Sequence, residues 1–557
     1  MRILQICLSL FSLVFSREIK KESFIKINQD IPDYEYKTAP NPSFQFYAEP
    51  KVIEDGEDVN IFWENVKNTD KKDFIGMWCG KQSKSKDFLD HVRIDNSTDS
   101  GVTIFPGLTN MRCDYNFGYY SVVDKTPTLL SVTKVFNNAG NSIPMYPRLA
   151  VTGKRGEMRI MWTSLFSDSP QVKYKKNNRE ILVNGTTYGT YTADMMCGPP
   201  ANITSQTTFR DPGFQQEVLL QNLSPGKYLY SFGNDIYGWS NEYNFIIPEE
   251  KQEKYHIIAY GDLGIDGGDA AQGTIDRITS EYNRPDFLLH FGDISYARGI
   301  GWKWEKFSRM ITPVSAYVPY MASIGNHEYD HTTGGNKDPS HAKGTGFHPV
   351  WGNYGDDSSG ECGVPMRYRF HMPDNGNNIF WYSFDYGLTH IIQMSTEHDY
   401  MRGSDQHEWI VKDLESVDRK KTPYIIVTGH RPMYTSEQPY ESDFLVAQFI
   451  QSALEDVFFK YKVDLGLYGH YHAYERDGPV FHNKNNDKGT VHITVGTAGA
   501  GLETGTFGGE GEEWYKANAL NWGYLRIIVD KDKISTQFIR NSDGMVADEA
   551  EIPNKFK

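Results

Sequence analysis

Tyr255-His-Ile-Ile-Ala-Tyr-Gly261-Asp262-Leu-Gly264 opens the stretch, closing at Glu328, from which the fold is read. Two more cassettes of the same grammar lie within it. They are Phe287-Leu-Leu-His-Phe-Gly292-Asp293-Ile-Ser-Tyr296 and Val318-Pro-Tyr-Met-Ala-Ser-Ile-Gly325-Asn326-His327-Glu328. Each is a short apolar run ended by Gly, the pattern of a buried strand. Gly lets the backbone turn sharply, so the next residue stands at the strand's carboxyl end. The spacing predicts Asp262, Asp293 and Asn326 at one edge of a single sheet.

Two later cassettes extend the pattern: Tyr424-Ile-Ile-Val-Thr-Gly429-His430 and Val463-Asp-Leu-Gly-Leu-Tyr-Gly469-His470-Tyr-His472. Between them the apolar period is helical over Gly267–Tyr282, Asp405–Val417 and Asp443–Tyr461. Ile379–Phe384, His390–Met394 and Val491–Val495 read as further strands. Residues 255–557 therefore read as an α/β domain of two sheets covered by helices, with strands at its end. One Gly-His ending is a weak signal, whereas five such endings in one domain are hard to obtain by chance. Together they offer two Asp, one Asn, three His and Tyr296. That is too many donors for one ion and suits two, and the mixture of imidazole and carboxylate suits Zn, Fe or Mn rather than Ca or Mg. With His470 and His472 two residues apart, one could face each ion, and a shared carboxylate could bridge ions about 3.5–4 Å apart. Gly496-Thr-Ala-Gly-Ala-Gly501 opens no helix and reads as a turn on the side of the site, not a phosphate-binding loop.

Upstream the grammar is all-β. The 557 residues exceed one core. Residues 17–144 begin with a polar lead-in and continue as short strands, among them Val59–Trp63, Phe74–Trp78 and Val102–Phe105. They predict an Ig-like β-sandwich with no ligand-spaced cluster. Residues 145–250 predict a second sandwich of fibronectin type, with strands at Met158–Trp162, Gln171–Tyr174, Glu217–Leu220 and Lys227–Ser231. Glu249–Lys254 reads as a linker. Residues 1–16 have one early charge, an apolar core and small residues at the end, as a secretory signal does. No later run is long and apolar enough to span a bilayer. The expectation is export, either secretion or delivery to the lumen of an acidic organelle. A net charge of −15 argues against a nucleic-acid partner. In an oxidising compartment Cys79, Cys113, Cys197 and Cys362 suggest two disulfides out of three connectivities, here expected as Cys79–Cys113 and Cys197–Cys362. Asn96, Asn184, Asn202 and Asn222 begin glycosylation sequons, the last weakened by Pro225.

Gly261–Gly264, Gly292–Tyr296, Gly325–Glu328, Val427–His430 and Gly469–His472, in this order, resemble the five motifs of purple acid phosphatases. Tyr296 narrows the resemblance from dinuclear metallophosphoesterases at large to that family, and Tyr474-Glu475-Arg476 is similar to it too. The likeness covers about residues 145–545, and the extra N-terminal sandwich is similar to that of the large, multidomain members. The resemblance implies a two-sheet metallophosphoesterase domain with Fe(III) plus a divalent ion (Zn, Mn or Fe). Asp262, Tyr296 and His472 would hold the iron, Asn326, His430 and His470 the divalent ion, and Asp293 would bridge both. Asn326 and His327 would contact phosphate, with His327 in the catalytic role. The implied activity is an acid phosphatase, a phosphoric monoester hydrolase that uses a metal-activated hydroxide on small phosphorylated substrates. The alternatives are a phosphodiesterase or nucleotide pyrophosphatase with the same centre, or a non-catalytic secreted binding protein. A homodimer is compatible with the sequence. One departure stands out: the His-bearing loop that plant members carry soon after the fourth motif corresponds here to Tyr434–Ser442, which has no His. General acid catalysis contributes roughly 10²–10⁴-fold, so His327 becomes the first candidate for the proton donor, ahead of Glu441 and Tyr440.

Overall fold

The computed structural model describes residues 43–556 apart from 67–71, 83, 85, 95–98, 124, 178, 250–251, 282, 330–336, 343–356, 437–440 and 504–511. The expected signal segment 1–16, the sequon at Asn96, and Tyr440 lie outside the described residues. The chain forms two compact units, the smaller comprising Asn60–Phe105 and Tyr115–Val135 with the residues up to Lys51, the larger comprising Phe136 onward with Val52–Val59 and Pro106–Asp114.

The smaller unit is built on an antiparallel sheet of Asp90–Arg93, Phe74–Cys79, Tyr115–Val123 and Thr126–Asn137. Its core is aromatic, with Phe74 stacked on Tyr120 at 4.7 Å and both packed against Phe88. Rings of this kind fill the inner face of a pleated sheet with few residues.

The larger unit begins with a sandwich. One sheet runs Thr186–Gly189, Phe214–Leu220, Met158–Ser164, Met145–Ala150, and the other includes Arg179–Asn184, Gln171–Lys176, Gly226–Asn234 and Tyr243–Ile247. Trp162, Tyr230, Phe232 and Phe245 fill the space between them. Asn184, Asn202 and Asn222 are exposed. Cys197 is bonded to Cys362, which ties this sandwich to the domain that follows, as expected from the sequence. Cys79 and Cys113 are also disulfide-bonded.

That next domain has two sheets. The first has the order Tyr320–Ser323, Phe287–Phe291, Lys254–Tyr260, Gly523–Asp530, Lys533–Arg540, Val546–Pro553. Its first three strands are parallel, with Ala259 beside Leu289 and Leu289 beside Met321, so their carboxyl ends share one edge. The second sheet carries Thr389–Gln393, Tyr424–Thr428, Leu465–Tyr468 and Thr490–Val495 as parallel neighbours. The strand residues are almost all fully buried, which accounts for continuous apolar runs where a one-faced strand would alternate.

The longer helices match the sequence period with two exceptions. Expected as one helix, 443–461 is Glu441–Ile450 and Asp456–Tyr461 joined by a π turn over Gln451–Glu455. Gly301–Ser315 is a helix that periodicity does not announce. Lys303, Glu305 and Ser308 are buried on it together with Trp304, Phe307 and Ile311, so its apolar stripe is blurred, and Pro313 falls in its last turn, where the sequence suggests a break.

Candidate metal centre

The five cassettes close at the same place. Gly261 donates its N–H to the carbonyl of Val495 at 3.0 Å, and Gly469 donates to that of His430 at 2.9 Å, so loops of the two sheets meet directly. An added Cβ on Gly261 would lie 3.1 Å from Gly469 Cα, and one on Gly469 would lie 2.4 Å from the Asp262 carboxylate. Glycine at these two turns lets backbone pack on backbone around the acid. Asp262, Asp293, Tyr296 and His470 themselves sit at φ of +61°, +51°, +50° and +71°. Non-glycine residues rarely hold this conformation, and it concentrates where a surrounding scaffold fixes functional side chains.

Two clusters of donors result, one on each side of Asp293. On the first side Tyr296 Oη lies 3.1 Å from Asp262 Oδ1 and 2.8 Å from His472 Nε2. One ligand atom each from Asp262, Asp293 and His472 falls within 4.8 Å of the others. On the second side Asn326 Oδ1 lies 2.9 Å from His430 Nε2 and 3.1 Å from His470 Nδ1. His430 Nε2 is 3.2 Å from Asp293 Oδ1, which leaves Asp293 in reach of both clusters. All seven residues that the sequence singles out as ligands come together here.

The electrostatics favour added positive charge. Burial alone would lower the pKa of His430, yet Asp293 and Asp262 push it up to about 10. His472 is only partly buried, and against the desolvation that would lower it Asp262 raises it to about 9. The carboxylates thus draw protons onto imidazoles that would otherwise be neutral, and a cation satisfies the same field. With oxygen and nitrogen donors of mixed type on both sides of one shared carboxylate, the residues fit two cations.

The outer partners fix the ring orientations, as they do around metal-ligating histidines generally. His472 Nδ1 donates to the carbonyl of Gly501 at 2.7 Å and His430 Nδ1 to that of Phe291 at 3.1 Å. The glycine-rich run 496–501 therefore does more than turn beside the site, because it holds His472. His470 Nε2 receives Arg431 Nη1 at 3.2 Å, and Arg431 Nε is paired with Glu397 at 2.9 Å, both side chains nearly fully buried. Glu328 accepts the N–H of Ile294 at 2.8 Å and of Gly325 at 3.0 Å, clamping the second cassette to the third. His327 donates its main-chain N–H to Asp293 Oδ1 at 3.0 Å, and its ring lies 4.6 Å from that of Tyr296.

The sequence marks Glu328 only as a motif member and Gly501 only as part of a turn beside the site, and it does not single out Glu397, Arg431 or Asp357 as partners. Glu397 does carry a signal. It follows the strand Thr389–Gln393 at the same sheet edge, but without the glycine that marks the other cassettes. Tyr434 of the histidine-free loop packs on Trp514 and bonds Glu455.

A two-sheet domain with ligands at strand ends, preceded by a β-sandwich, defines a calcineurin-like metallophosphoesterase, and residues 255–474 match the family described as Calcineurin-like phosphoesterase. Residues 144–246 match Purple acid Phosphatase, N-terminal domain, and residues 489–549 match Iron/zinc purple acid phosphatase-like protein C. The chain belongs to the purple acid phosphatase family. It is 32% identical over 490 residues to "Probable inactive purple acid phosphatase 1" of Arabidopsis thaliana, covering 81% of this chain and 76% of that one. It is 29% identical over 345 residues to a barley "Nucleotide pyrophosphatase/phosphodiesterase", covering 57% of this chain and 89% of that one. The solved structure of purple acid phosphatase PPD1 from yellow lupin seeds superposes with a TM-score of 0.77 at 28% identity, covering 92% and 96% of the two chains.

Proposed function

We propose that the chain is an acid phosphatase that hydrolyses phosphate monoesters at a centre of Fe(III) and a divalent ion. The observation that carries this is the convergence of Asp262, Tyr296 and His472 on one side of Asp293, and of Asn326, His430 and His470 on the other. Two ions held there would neutralise phosphate charge and lower the pKa of bound water. The residues do the rest. Tyr296, as phenolate, marks the first cluster as the iron side. Asp293 holds the two clusters at one distance. His327 presents Nε2 towards Asp293 Oδ2, 3.8 Å away, since its Nδ1 is committed to the carbonyl of Asp357 at 2.8 Å. Nε2 can pass a proton to a phosphoryl or leaving-group oxygen when the ring is imidazolium, since the neutral ring keeps its one proton on Nδ1. We propose also export through residues 1–16 and action in an acidic compartment, and expect N-terminal sequencing of the exported protein to begin just after Ser16.

A second reading, phosphodiester or nucleotide pyrophosphate cleavage by the same residues, is favoured by the likeness to the barley protein. The name of the Arabidopsis relative raises a third, a chain without turnover. The complete set of seven donors speaks against that reading. The test is metal content and a visible spectrum of the purified protein, with rates on a nitrophenyl monoester and its bis-ester. We expect two ions per chain, one of them iron, a phenolate-to-iron band and faster monoester cleavage, with Asp293→Ala losing both ions and turnover. Faster bis-ester cleavage selects the second reading. Fewer than two ions with no turnover selects the third.

A further inference from the structure

Asn326 is the one amide among the seven ligand candidates, and an amide has a wrong way round. An amide oxygen binds a cation, whereas its NH2 group does not, and the two ends exchange by a half-turn about a soft torsion. The cluster itself does not choose between them. His430, whose Nδ1 donates to Phe291, offers a lone pair at Nε2 when neutral, whereas His470, whose Nε2 receives Arg431, offers an N–H at Nδ1, so the two rings ask for opposite ends of the amide. The choice is made at the other end of the amide. Asn326 Nδ2 donates to Asp357 Oδ2 at 2.9 Å, and an ionised carboxylate only accepts. A flipped amide would set oxygen against oxygen there.

The same residue acts on His327. The ring Nδ1 of His327 lies 2.8 Å from the main-chain carbonyl of Asp357, which also only accepts, so Nδ1 carries the proton and Nε2 is turned to the centre. Two successive residues of the third cassette are thus oriented by two different groups of one residue. Asp357 lies about thirty residues further along the chain, next to the segment that the Cys197–Cys362 disulfide holds against the sandwich.

Resting on the reading of this site as a two-metal centre, we propose that Asp357 is its positioning residue on the divalent side: the carboxylate fixes Asn326 with its oxygen inward, and the carbonyl fixes the tautomer of His327. Loss of a partner of this kind around a metal ligand typically weakens metal binding by about 10–100-fold. The effect falls on one ion only, because Asp357 touches Asn326 and His327 but none of Asp262, Tyr296 or His472.

The experiment measures the affinity for each ion, by chelator competition and metal analysis, in the wild type and in Asp357→Ala, Asp357→Asn and Asp357→Glu. We expect Asp357→Ala to bind the divalent ion about 10–100-fold more weakly while keeping iron and the visible band. Asp357→Asn should also be weakened, since its own amide accepts either orientation of Asn326, and Asp357→Glu should recover part of the loss. The metal-free protein should keep its fold and a cooperative unfolding transition. Unaltered divalent affinity in Asp357→Ala and Asp357→Asn overturns the proposal. Equal losses of both ions also overturn it, since a general loss of structure then accounts for the effect. A wild type that takes up no second ion overturns the two-metal reading, and this inference with it.

Discussion

Tyr296 shows how much a single atom is asked to do. Its phenol oxygen is shared between Asp262 Oδ1 and His472 Nε2, while its ring packs over Gly264, where an added Cβ would approach Cδ2 to 2.5 Å. Burial, with Asp262 and Asp293 nearby, holds the phenol well above its ordinary pKa, so only a strongly charged cation makes it a phenolate at acid pH. Tyr296→Phe keeps the ring and removes that one oxygen. Asp262 and His472, 3.4 Å apart, can then pair with each other, so the fold should lose no more than about 1 kcal/mol. The expected outcome is a protein that retains the divalent ion and loses the visible band. A band that persists in Tyr296→Phe would remove this residue from the iron side.

At the scale of elements, what is legible in the chain is what is local. A strand, a glycine and a polar residue are near neighbours in the chain, so the amino-acid order by itself announces both sheets and the seven residues that meet at their edge. The partners that orient those donors are not contiguous. Glu328 acts on Ile294, Gly501 on His472 and Glu397 on Arg431, across 34, 29 and 34 residues, and no period or spacing records such pairs. The helix Gly301–Ser315 is hidden for a related reason, since Glu305 on it is buried by a contact with Arg112, distant in sequence. Glu328 offers the direct test of such a tie. It is buried among main-chain N–H groups of two loops, and Glu328→Gln keeps its shape but turns an NH2 towards one of those donors. A buried donor left without an acceptor costs about 1–3 kcal/mol. The midpoint of urea unfolding should fall accordingly with an unchanged slope, and both ions should be released more readily, since both loops are loosened. An unchanged midpoint would show that the clamp is not needed.

Over the whole molecule, buried ionisable groups set the pH range in which the fold is most stable, and here they favour acid. His390 lies between Asp385 and Asp413, at 2.7 and 2.8 Å. Burial alone would lower its pKa, but the two carboxylates raise it from 6.5 to about 9. A raised folded-state pKa gives stability that is complete below 6.5 and lost as pH climbs through 9. With Asp385 more than half exposed and its contribution screened, the effect is about 2 kcal/mol. Glu361 accepts from Trp304 Nε1 and from the N–H of Gly299, and burial raises it from 4.5 to about 7. The sign is the same: its ionisation costs stability progressively between 4.5 and 7. Glu305 runs the other way. Burial would raise it, but Arg112 and Arg369, each at 2.8 Å, hold it down to about 2, so its contribution is complete above 4.5 and is lost as pH falls from there through 2. Together these groups place the greatest stability near pH 4.5, with a decline in two steps above it and one below. Relief of the −15 net charge at low pH acts in the same direction, so the variants are what separate the causes. Glu361→Gln cannot ionise and should flatten the unfolding temperature between pH 4.5 and 7, whereas His390→Gln should flatten it between 6.5 and 9. If the wild-type profile is level over that whole range, or if both variants keep its slope, the acid preference of the fold has another origin.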